Sequence, residues 1–106
     1  MKTTKRKKIE KKGWKVGSVA ELLNLSPEEV DYIEMKLALS RALRKQRAKS
    51  KLTQVELAKK LKSSQSRVAK MEAGDPSVSI DLLVRSLLAL GASPKAVAKS
   101  IQSARS

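Results

Sequence analysis

The stretch TQVELAKKLKSSQSRVAKMEAG, residues 53–74, decides the fold of this chain. Thr53 and Glu56 have the spacing of a capping box, in which a hydroxyl and a carboxylate each satisfy a backbone N–H left free at a helix start. The pattern predicts a short helix to about Leu61. Lys62 and Ser63 make a turn, Ser64 caps a second helix, and Gly74 ends that helix where a left-handed residue is favoured. Leu57 and Leu61 share the inner face of the first helix, and Val68 and Met71 that of the second. Ala58 is small where the second helix has to cross. Two short helices crossing steeply over a tight turn need this set of apolar positions. Gln65, Ser66, Arg67 and Lys70 are left on the opposite, outward side.

The flanks read as more helices. Ser26-Pro27-Glu28-Glu29 joins a cap, a proline suited to the first helical position and a second capping box. The Glu28-Glu29 pair is thereby read as capping, not as an acid/base pair. The helix it opens runs to about Lys49, with Val30, Ile33, Leu37 and Leu43 as its apolar stripe. Arg41, Arg44, Lys45, Arg47 and Lys49 crowd its C-terminal end, where they complement the helix dipole. Upstream, SVAELLNL (18–25) predicts a short helix with Val19, Leu22, Leu23 and Leu25 on its apolar side. Downstream, Ser79 caps IDLLVRSLLALG, which Gly91 ends, and Ser93-Pro94 starts a last helix to about Ser103. No period-2 alternation occurs, so the chain is expected to be all-α, a bundle of about five helices with an extra N-terminal helical segment. Residues 1–12, MKTTKRKKIEKK, hold seven basic residues and one acid, and such charge density predicts a disordered arm. The organisation expected is therefore 1–12 basic arm, 13–39 helical extension carrying Trp14, and 40–106 the two-helix unit with its C-terminal helices. Trp14 with Val16 and Val19 is expected to pack on the long helix.

Composition narrows the function. Twenty-four Lys and Arg against ten Asp and Glu give a formal charge of +14 and a pI near 10.4, a field that attracts polyanions, nucleic acid before anionic membrane. With no Cys and no His, the chain lacks disulfides, cysteine metal sites, and the commonest general base and metal ligand. It also has no phosphate-cradling glycine loop and no nucleophile–base constellation, so neither an enzyme nor a cofactor or metal is expected. No membrane span and no secretory signal are expected either, because no run of about 18 apolar residues exists and GWKVGS follows the basic start.

LTQVELAKKLKSSQSRVAKMEAGDPSVSIDLLVRSLLALG (52–91) resembles the phage-repressor-like helix-turn-helix proteins, the lambda and 434 repressor class also called the XRE family. The resemblance covers roughly residues 40–92, and GWKVGSVAELLNLSPEEVDYIEMKLALSRALR (13–44) is similar to the same block of HigA-type antitoxins. What this implies is a lambda-repressor-like bundle whose second motif helix lies in the major groove with its N-terminal residues on base edges. Gln54 matches a position that contacts phosphate and braces that helix. Gln65 and Ser66 match its two leading base-contacting positions, and Lys70 a third. Arg67, between them, is in reach of guanine or a phosphate. The side-chain chemistry agrees, since Gln pairs bidentately with adenine, Arg or Lys with guanine, and Ser with either. Ser64 and the free N–H groups at the helix start suit a phosphate. Arg47 and Glu72 match a structural ion pair of the class. Lys62 stands where the family usually has Gly, and it is expected to return some affinity through a phosphate.

The resemblance further implies a homodimer on an inverted-repeat operator in double-stranded DNA, acting as a repressor in a bacterial, nucleoid-associated cytoplasmic setting. The C-terminal helices are the expected dimer surface, with Leu83, Leu87, Leu88, Leu90, Val97 and Ile101 as its residues unless they fill the core. The antitoxin likeness implies autoregulation and a RelE/HigB-like toxin docked on the N-terminal block. The competing readings are a phage or restriction-modification control regulator, and a protein-interaction module that keeps the scaffold without reading DNA.

Overall fold

The computed structural model describes residues 21–105. The expectations for the basic arm, Trp14, Val16 and Val19 lie outside them. Five α-helices follow in order, α1 (Pro27–Lys49), α2 (Gln54–Leu61), α3 (Gln65–Ala73), α4 (Ile80–Ala89) and α5 (Pro94–Gln102), then a 3-10 turn at Ser103–Arg105. No strand occurs among the described residues, so the fold is the expected all-α bundle. By internal packing the chain divides into residues 1–34 and 35–106.

In the first unit, residues 21–23 are helical and Asn24 stops them with a left-handed backbone, φ 56°. Leu22 and Leu23, expected on the apolar side of a short helix, are both exposed. Ser26 caps α1 through a full box: its hydroxyl accepts from the Glu29 N–H at 3.2 Å, and its own N–H donates to Glu29 Oε1 at 2.8 Å.

In the second unit, every helix start is a polar cap that reaches three residues ahead. Thr53 and Glu56 form the reciprocal box of α2, while Ser64, Ser79 and Ser93 accept from the N–H groups of Arg67, Leu82 and Ala96. These contacts need only local backbone geometry, which is why the sequence announces them. The core is aliphatic: Leu39, Leu43, Leu57, Val68, Met71, Leu83 and Leu87 are all buried. Leu43 of the expected α1 stripe is among them, whereas Leu37 is only half-buried and Ala38 and Leu39 go inside instead. Ser86 is also fully buried, its hydroxyl donating to the Met71 sulfur at 3.6 Å.

The C-terminal helices correct one expectation. Leu83, Leu87 and Val97 are buried in the core and Leu90 and Ile101 pack against it, leaving Leu88 as the exposed one of the six proposed for a dimer surface. A domain this small has few apolar side chains to spare, and its core takes them.

Helix ends show why two positions are special. Gly74 is left-handed (φ 72°), a backbone shape that disfavours any side chain, and a Cβ there would also push aside the Leu37 Cδ2 atom, which stands 2.6 Å away. Lys62 takes the same backbone shape without being glycine, at φ 56° and ψ 47°. Its N–H donates to the Lys59 carbonyl and the Ser63 N–H to that of Ala58, at 3.1 and 2.8 Å, which is the paired closure of a Schellman motif. The departure from glycine therefore leaves the turn intact and costs strain, about 1–2 kcal/mol for a non-glycine residue. Lys62→Gly relieves that strain and loses part of the gain to the floppier unfolded chain, for a net stabilisation of about 0.5–1 kcal/mol. A higher midpoint in thermal melting is the expected result, and a lower one would show that the Lys62 side chain holds the turn.

Candidate nucleic-acid interface

α2 and α3 pack through Leu57, Ala58, Val68 and Met71, which are all buried, so the apolar set read from the sequence is the one that fixes α3. The opposite side of α3 presents Gln65, Ser66, Arg67 and Lys70, all exposed. Ser64, Ser66, Arg67 and Lys70 line one shallow depression together with Ser77 and Val78. Lys62 is not part of it: it borders a separate depression with Lys60 and Arg85.

A chain of side-chain hydrogen bonds runs under this surface. Arg47, near the end of α1, grips Glu72 of α3 with two bonds, Nε to Oε2 at 2.5 Å and Nη2 to Oε1 at 3.0 Å. Its remaining Nη1 donates to the Leu52 carbonyl at 2.8 Å, which ties down the loop before α2. Glu72 Oε1 also accepts from the Gln54 amide nitrogen at 3.1 Å, and Gln54 Oε1 in turn accepts from the Gln65 amide nitrogen at 2.7 Å. The polarity of the chain has one origin. An ionised carboxylate can only accept, so Gln54 must turn its NH₂ toward Glu72 and its oxygen toward Gln65. Gln65 must then donate one N–H inward. That bond does not engage its other N–H or its Oε1.

The ion pair is largely desolvated, with 18% of the Arg47 and 5% of the Glu72 side chain exposed. Burial pushes the Glu72 carboxyl up, but hydrogen bonds from Arg47 and Gln54 and the charges of Arg47 and Arg44 outweigh it and hold the group below its ordinary value. The Glu72 hydrogen bond raises Arg47 above its own, against burial and with the Glu72 charge. Both groups are thus kept charged.

Sequence reasoning missed the loop after α3. The Asp75 carboxylate accepts from the Ser77 hydroxyl at 2.7 Å and the Ser77 N–H at 2.8 Å, and these bonds, helped by the Lys70 and Lys36 charges, hold it below the usual carboxylate range. From α1, Lys36, only 8% exposed, donates to the Pro76 carbonyl at 3.0 Å. The Asp-x-Ser turn has a local signature that could have been read. The Lys36 tether, forty residues away, has none.

Among the described residues no group of three His, Cys, Asp or Glu is placed to hold a metal ion, and no helix is long and apolar enough to cross a membrane. No curated protein and no solved structure gives a significant match to the chain. One family model does match, described as helix-turn-helix, over residues 43–97, just over half of the 106 residues. The match takes in both halves of the Arg47–Glu72 pair, the crossed helices α2 and α3, and the depression on α3. The chain belongs to the XRE-type helix-turn-helix family of DNA-binding transcription regulators.

Proposed function

We propose that the chain reads a specific double-stranded DNA sequence by laying α3 in the major groove, with Gln65 as the leading base contact. The observation that carries this reading is the Gln54–Gln65 hydrogen bond. It leaves Gln65 one N–H and its carbonyl oxygen, the pair that matches N7 and N6–H of adenine. Ser66 and Arg67 sit beside it on the first turn, Arg67 with the chemistry to reach guanine or a phosphate. Lys70, Ser64 and Ser77 share the depression and suit phosphate oxygens, which position a protein without reading sequence. Gln54 braces Gln65 and can offer its second amide hydrogen to a phosphate. Lys62 gives a further phosphate contact from outside the depression, so Lys62→Gly lowers the slope of affinity against salt by about one.

Selection of bound sites from random DNA tests the reading, and an enriched inverted repeat is the expected outcome for a dimer acting as a repressor. On the selected site, Gln65→Ala is expected to weaken binding by about 5- to 150-fold, the loss of about 1–3 kcal/mol of discrimination at one base. Unchanged binding after alanine at Gln65, Arg67 and Lys70 together would favour a protein-interaction module on this scaffold. The antitoxin role, with a RelE/HigB-like toxin as partner, rests on the resemblance of residues 13–44. A small basic toxin gene beside this one, and co-purification of its product, would support it over a phage or restriction-modification regulator.

A further inference from the structure

Of the six apolar residues of the C-terminal helices, only Leu88 is exposed, so an apolar face there is too small to hold a second copy by itself. α1 and α5 border a groove made of two adjoining depressions that share Ala42, Lys45 and Ser100. Its walls are small side chains, Ala42 on α1 and Ala96 and Ser100 on α5, so a helix or extended segment can approach closely. Its α1 rim is basic, with Arg41, Arg44, Lys45 and Lys49 all exposed. No acidic residue lines it. Such a groove fits an occupant that is apolar and acidic at once.

The chain carries one such segment. Residues 21–35, ELLNLSPEEVDYIEM, hold Glu21, Glu28, Glu29, Asp31 and Glu34 and no Lys or Arg, half of the ten acidic residues of a chain whose net charge is +14. The same segment exposes Leu22, Leu23 and Tyr32 by 58%, 59% and 49%, three of the five large hydrophobic residues exposed among the described residues. Apolar side chains concentrated in this way mark an interaction surface more often than scattered ones do.

We propose that residues 21–34 of one copy seat in the α1–α5 groove of a second copy, and that the second copy returns the contact. A two-fold dimer is self-complementary, so one chain has to supply both halves, and this chain does. The lengths agree. Glu28 and Glu34 lie six helical residues apart, about 9 Å, and Arg41 and Lys49 eight apart, about 12 Å, so an antiparallel approach sets one charged span along the other. The groove shares no residue with the depression on α3, so this contact leaves the proposed reading surface open. The inference deepens the dimer reading above and is tested without DNA. Its failure would leave the base contacts standing, and theirs would leave it standing.

Sedimentation of the full chain provides the test. At about 100 µM, wild type is expected to be dimeric in about 50 mM salt and to dissociate as salt screens the charged rim. Arg41→Glu with Lys45→Glu, and separately Glu28→Lys with Glu34→Lys, are each expected to weaken the dimer at least about tenfold. Mixed in equal amounts, the two variants regain a heterodimer, because each acidic segment then faces a basic groove and the reverse. Recovery on mixing also shows that both variants are folded. A wild type that is monomeric at low salt overturns the proposal and reassigns the groove to a foreign acidic partner. A dimer that survives both reversals, or variants that melt cooperatively yet stay apart when mixed, overturns it as well.

Discussion

Arg47→Met is expected to destabilise the domain by about 3–5 kcal/mol at neutral pH, because it removes one partner of a desolvated ion pair and leaves the other charge buried. Glu72 then keeps a single donor, Gln54, and the Leu52 carbonyl loses its guanidinium. For a protein of this size that is a large share of a total stability of about 5–15 kcal/mol. The pH dependence separates this account from a simple packing defect. In the wild type the folded Glu72 carboxyl titrates below its unfolded value, against the pull of burial. Its contribution is therefore complete above the unfolded pKa of about 4.3 and is lost as pH falls through the folded value. Without Arg47, the largest of the lowering influences is gone while burial still acts, so the folded carboxyl moves up from its wild-type position. Acid then relieves part of the defect, so the gap between variant and wild type narrows below about pH 5. Urea unfolding at neutral and mildly acid pH measures both effects. A gap that is constant across that range, or under about 1 kcal/mol at neutrality as for an exposed pair, would overturn the assignment.

The same substitution reaches the surface of α3 proposed to read DNA. Glu72 orients Gln54, and Gln54 orients Gln65, so a carboxylate no longer gripped by Arg47 holds both amides less firmly. Loss of sequence preference beyond loss of stability is the expected signature in Arg47→Met, read on protein that is still folded.

Leu57→Ala is expected to cost about 2–5 kcal/mol, the range for emptying a fully buried leucine site. Leu57 is completely buried and lies in one cluster with Leu43, Val68 and Met71, so the void opens where α2 holds α3. Each kcal/mol lowers the melting temperature of a domain of this size by about 4–8 °C. Val55, two residues earlier on the same helix, is 51% exposed and serves as the control. Val55→Ala should stay within about 0.5 kcal/mol of wild type. Equal effects at the two positions would mean that α2 does not pack through the face assigned to it.

Much of this molecule was legible before its structure. Ser26, Thr53, Ser64, Ser79 and Ser93 all cap the helices they were expected to cap, and Gly74 and Gly91 both take the left-handed backbone expected past a helix end. Leu57, Ala58, Val68 and Met71 were read as the contact between α2 and α3 because helical spacing puts them on facing sides. The C-terminal leucines were not decided, since periodicity says that a face is apolar and not what covers it. Leu22 and Leu23 show the same limit from the other side, being apolar at helical spacing and yet exposed.

The sequence by itself determined the helices, their ends and the crossed pair, because capping hydroxyls, left-handed glycines and helical spacing act over a few residues and carry their own signature. Only the tertiary structure decided that Lys62 endures a glycine conformation, that Lys36 holds the loop at Pro76, and that Glu72 sets the amides of Gln54 and Gln65 in line. Those outcomes depend on groups between eleven and forty residues apart, or on neighbours that outweigh a local strain. Their energies exist only once the helices have packed.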